Sequence, residues 1–150
     1  MSAKGLIRID RVSSVNPANC SARVTFEDRE DVVSYELPVL VRGSQDTKDY
    51  WLPTPGEQVL CIFAENGKST DGFIVGTFFS EADPPPASSS DKRCVVFTDG
   101  TKIEYDMSSK TITIECQGPI NIKSSAMTIT GDTTIDGNLT VAGSITSGGG

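Results

Sequence analysis

The sequence predicts an all-β protein in two parts, a small barrel followed by a shaft of short strands. Three observations carry this reading. Apolar residues recur with a period of two along most of the first 80 positions, no stretch shows a helical period, and after Tyr105 the chain becomes a run of short Ile/Val/Leu and Thr/Ser/Asn units punctuated by glycine.

The first strand is expected over about Leu6 to Val12. Cys20, Ala22, Val24 and Phe26 then alternate with Ser21, Arg23, Thr25 and Glu27, the pattern of a half-buried strand. Val33, Tyr35, Leu37, Val39 and Val41 repeat that period and predict one continuous strand. VLCIF (59–63) is apolar throughout and predicts a central strand buried on both faces. GFIVGTFF (72–79) supplies a fifth strand, with Gly76 as a candidate bulge. Turn chemistry separates them at Asn16-Pro17-Ala18-Asn19, Asp28-Arg29-Glu30-Asp31, Pro53-Thr54-Pro55-Gly56 and Asn66-Gly67. Five short strands without a helix point to an OB-fold barrel over 1–80.

SEADPPPASSSDK (80–92) breaks the pattern, because consecutive prolines favour extended polyproline II and serines add mobility. Residues 81–92 are therefore assigned to a linker and 93–150 to the shaft. VVFTDGTKIEY (95–105) reads as a hairpin closed by Asp99-Gly100, a pair suited to the positive φ angles of a type I′ turn. Met107-Ser108-Ser109 turns the chain into TITIECQ (111–117), and the units INIKS, MTITG, TTIDG, LTVAG and SITSG come after it.

The large apolar residues of this region are Ile112, Ile114, Ile120, Ile122, Met127, Ile129, Ile135, Leu139, Val141 and Ile145. Burying each gains roughly 1.5–3 kcal/mol, while ordering the backbone costs about 1–2 kcal/mol for every residue, so one such chain alone does not break even. Three copies wrapped about a common axis resolve this: the aliphatics meet in a shared dry core, and each free strand edge pairs with a neighbour. Thr, Ser and Lys123 then face water, and Gly131, Gly137, Gly143 and Gly148 permit corners between faces. A disordered Ser/Thr/Gly tail and a single-chain β-solenoid are the alternatives; strict apolar alternation argues against the first and short repeats against the second.

Composition excludes several function classes. There is no histidine, so a Ser-His-Asp or Cys-His apparatus cannot form, and neither can a His-bearing zinc site. Cys20, Cys61, Cys94 and Cys116 form no CxxC and are expected as buried or partly buried thiols. With 13 Lys and Arg against 20 Asp and Glu, and both parts acidic, nucleic-acid and anionic-membrane surfaces are disfavoured. Glu27, Asp28, Glu30 and Asp31 read as a solvated turn rather than a glycosidase pair, and no catalytic residue, cofactor or metal is expected. Neither a signal peptide nor a membrane helix is legible, so synthesis in a bacterial cytoplasm is expected.

The segment LPVLVRGSQDTKDYWLPTPGEQVLCIFAENGKSTDGFIVGTFFSEADPPP (37–86) resembles the baseplate assembly protein V (gpV-like) family of contractile-tailed phages. Leu37-Pro38-Val39-Leu40, Trp51-Leu52-Pro53 through Pro55-Gly56-Glu57-Gln58-Val59, Gly72 to Phe79 and the exit Glu81 to Pro86 carry the likeness. DGTKIEYD (99–106) with TITIE (111–115) is similar to the start of that family's stem.

The resemblance implies an OB-fold carrying a homotrimeric, intertwined β-helix that pierces a target cell envelope on sheath contraction. It implies a place in a virion baseplate or an extracellular tail-like particle, related to the spikes of R-type pyocins, contractile injection systems and VgrG. A baseplate hub protein above the OB-folds is the implied partner, with Tyr50 and Trp51 as candidate hub contacts. Many members of the family end in a His-x-His iron apex, which this sequence lacks. Ser147, Gly148, Gly149 and Gly150 are therefore expected either to form a blunt platform for a PAAR-like tip protein or to mark a chain cut before its apex. An OB-fold module binding oligonucleotides or oligosaccharides, with a flexible tail, is the alternative function.

Overall fold

The computed structural model describes residues 6–64 and 71–149, and is all-β apart from one 3-10 turn at Glu27–Arg29. It divides into two compact units, Met1–Ser88 and Ser89–Gly150, and the division falls inside the Pro/Ser-rich stretch.

The first unit is built on β1 (Ile7–Asn16), β2 (Ser21–Phe26), β3 (Val32–Val33), β4 (Leu37–Pro38), β5 (Gln58–Phe63) and β6 (Gly72–Thr77). The sheet runs β3-β2-β1-β5-β6, and β4 pairs with β2. A parallel bridge between Val39 and Ile74, reinforced by the Leu40 amide donating to the Ile74 carbonyl at 2.9 Å, joins the segment after β4 to β6. The strands therefore close into a ring, which removes the open edges an isolated sheet would present.

Strand alternation sends Val12, Ala22, Val24, Phe26, Leu37, Val39, Val59, Cys61, Phe63 and Ile74 into one core. Trp51 and Leu52 pack against it from the long connection before β5. Burial pushes the Cys61 thiol up to about 12, so it behaves as a small apolar residue there.

Several elements differ from the sequence expectation. β1 continues to Asn16, four residues past Val12, because a bulge between Val12 and Ser14 keeps it in register with β2. The expected strand from Val33 to Val41 is broken. Leu37 and Val39 are buried, but Val33 and Tyr35 are exposed. Ser34 is the cause: its hydroxyl accepts from the Val24 amide at 3.0 Å and donates to the Tyr35 carbonyl at 2.7 Å, so it turns inward and flips the register of the residues downstream.

β5 is flanked by β1 and β6 as a central strand should be, yet it is buried on one face only. Val59, Cys61 and Phe63 point into the core, whereas Ile62 is 43% exposed, because a small barrel has solvent on its outer surface. The register shift between Leu60 and Cys61 pairs Leu60 with Gly76 and Cys61 with Ile74, which places the bulge beside Gly76. The Asn66-Gly67 turn lies outside the described residues.

The second unit contains one antiparallel sheet, β7 (Lys92–Val96), β8 (Lys102–Asp106) and β9 (Thr111–Glu115), in that order. Among the described residues, no strand comes after Glu115.

Candidate assembly surface

Local chemistry sets the geometry of the β7-β8-β9 sheet. The hairpin between β7 and β8 is not the expected type I′ turn, since Gly100 alone has positive φ (88°) and Asp99 does not. The Gly100 amide donates to the Phe97 carbonyl, and the Phe97 amide to the Thr101 carbonyl, which makes a three-residue loop with Gly100 in the left-handed position. The Asp99 carboxylate accepts from the Thr101 amide at 2.9 Å, and this bond holds it below the usual carboxylate range. At the next turn the Asp106 carboxylate accepts from the Ser108 hydroxyl and amide and the Ser109 amide, and is lowered for the same reason.

The two turns fix a register in which Val95 pairs with Ile103 and Ile103 with Ile114, while Tyr105 pairs with Ile112. Directly paired residues of an antiparallel sheet share a face. One face therefore carries Val95, Ile103, Ile114, Tyr105 and Ile112, with Arg93 on the edge strand. The other carries Cys94, Glu104, Thr113, Val96, Lys102 and Glu115. Ion pairs cross this polar face, Lys92 to Glu104 at 3.5 Å and Lys102 to Glu115 at 3.8 Å. The sheet is two-faced.

The apolar face lacks a cover within the described residues of its own chain. Val95 is 57% exposed, Ile103 48%, Tyr105 40%, Ile112 69% and Ile114 59%. Sequence reading selected Ile112 and Ile114 but missed Val95, Ile103 and Tyr105. The signal was present as the alternation of Ile103 and Tyr105 with Lys102, Glu104 and Asp106, which the hairpin reading did not convert into a face.

From Cys116 onward the expected short strands form no ladder among the described residues. A single extended chain turned by small residues has no neighbour of its own to bond. Ile120, Ile122, Met127, Ile129, Ile135, Leu139, Val141 and Ile145 are all exposed, from 44% at Val141 to 73% at Ile145. Of the four corner glycines, Gly131 (φ 127°) and Gly137 (φ 143°) adopt conformations closed to other residues, whereas Gly143 and Gly148 do not. Cys116 is exposed rather than buried or half-buried, because it belongs to this uncovered region. Ser147, Gly148 and Gly149 are exposed and outside any strand, and Gly150 lies outside the described residues.

The two candidate hub contacts differ. Tyr50 is 61% exposed and its hydroxyl donates to the Pro17 carbonyl at 3.1 Å. Trp51 is half-buried against the barrel core, donates to the Leu40 carbonyl at 3.0 Å, and has its own carbonyl facing the Cys20 thiol, so packing accounts for it. An open cleft of about 390 Å³ between the Thr54–Gln58 turn and Thr77–Pro84 holds Glu57, whose carboxylate is occupied by the Thr54 amide. Among the described residues, no group of three metal-ligating side chains comes together.

No family model matches this sequence. A search of characterised proteins finds the spike protein of Escherichia phage P2, 32% identical over 98 residues. The chain is similar to a bacteriophage spike protein. The aligned stretch takes in 65% of this chain and 44% of that protein, so the chain spans under half the length of the relative it matches.

Proposed function

We propose that this protein is the homotrimeric central spike of a contractile phage tail or a tail-like injection device, with a mechanical rather than a catalytic role. One observation carries the reading: every large aliphatic side chain from Ile112 to Ile145 is exposed in the single chain. Burial of such side chains gains roughly 1.5–3 kcal/mol each, and this ten-residue set, two on β9 and eight along the unpaired segment after it, finds that burial only between chains. The likeness to a phage spike protein supports the same conclusion.

In this reading the first unit is an OB-fold barrel, supported by its ring of short strands closed by the Val39–Ile74 bridge. A baseplate hub contacts that barrel, with exposed Tyr50 a better candidate than packed Trp51. A PAAR-like tip protein is the further partner this reading proposes, at the far end of the shaft. Sheath contraction drives the assembly through a target envelope, and a closed trimer without free edges carries the load.

Sedimentation of the full chain tests the proposal. Three times the chain mass is expected, and Ile129→Asp or Ile135→Asp places three unpaired carboxylates on the axis and dissociates the trimer. A monodisperse monomer overturns it.

A further inference from the structure

No further inference is drawn: the strongest candidate, the apolar outer face of the barrel where Ile7 on β1, Ile62 on β5 and Phe73 on β6 stand side by side and exposed, carries nothing, because nothing in the structure shows what covers it.

Discussion

The Arg8 guanidinium lies 3.1 Å from the Asp10 carboxylate, and the Asp10 side chain is only 1% exposed. Both residues project inward from β1, where period-two alternation places them beside Val12. The same guanidinium bonds Asp28 on the 3-10 turn and lies 4.6 Å from the ring centre of Phe26, which in turn meets Phe63 at 5.8 Å. One cation thus closes an end of the barrel by neutralising a carboxylate that would otherwise be buried alone.

Removing that cation should therefore be costly. Arg8→Met leaves Asp10 buried without its partner and is expected to destabilise the barrel by about 3 kcal/mol. Adding Asp10→Leu should recover most of the loss, since an apolar pair of similar volume carries no desolvation penalty. Urea unfolding followed by the fluorescence of Trp51, the single tryptophan, reports on this unit. An unchanged midpoint for Arg8→Met contradicts the argument.

Acid should act on the carboxylates of the barrel with opposite signs. The Arg8 hydrogen bond holds Asp28 below the usual carboxylate range, and bonds from Asn16 and Ser21 do the same for Glu36. Groups lowered in the folded state contribute stability that is present above their unfolded values and is lost as pH falls through the folded ones. Asp10 is raised, chiefly by burial, with the Arg8 bond opposing; the folded barrel binds its proton more tightly than the unfolded chain, so its contribution improves as pH falls. Barrel stability is expected to decline below about pH 4, less steeply in Asp28→Asn and Glu36→Gln and more steeply in Asp10→Asn. Urea midpoints across that range check each slope, and the reverse order of slopes refutes the assignment.

The corner glycines should not be equivalent. Gly137 has φ 143° and Gly143 has no positive φ, while an added Cβ meets nothing within 4 Å at either site. Alanine at 137 is therefore opposed by backbone strain and, within the single chain, not by crowding, at a cost of about 1–3 kcal/mol per chain. Thermal unfolding of the assembled protein, followed by circular dichroism, should show Gly137→Ala melting well below Gly143→Ala. Equal shifts would place the corner elsewhere.

Some elements were legible because local chemistry decides them. β2 follows from the alternation of Ala22, Val24 and Phe26, and the Gly76 bulge from a glycine inside an apolar strand. Other elements were misread where a distant group decides. Val33 to Val41 looked like one continuous strand, but the Val24 amide on β2 draws Ser34 inward and reverses the register. The apolar run of β5 looked doubly buried, yet curvature of the barrel leaves Ile62 outside. In the hairpin, Asp99-Gly100 marked the turn correctly while Phe97 and Thr101 set its length, through backbone bonds that composition does not display.

The candidate surface divides the same way. By itself the sequence determined that the chain is all-β and that residues 112–145 carry an aliphatic series too sparse for one chain to bury, since periodicity and side-chain volume are properties of the chain alone. Only the tertiary structure decided that Val95, Ile103 and Tyr105 stand on one face with Ile112 and Ile114. Which side chains share a face depends on the pairing register, and that register is set by hydrogen bonds at Gly100 and Asp106 between residues brought together only when the sheet forms.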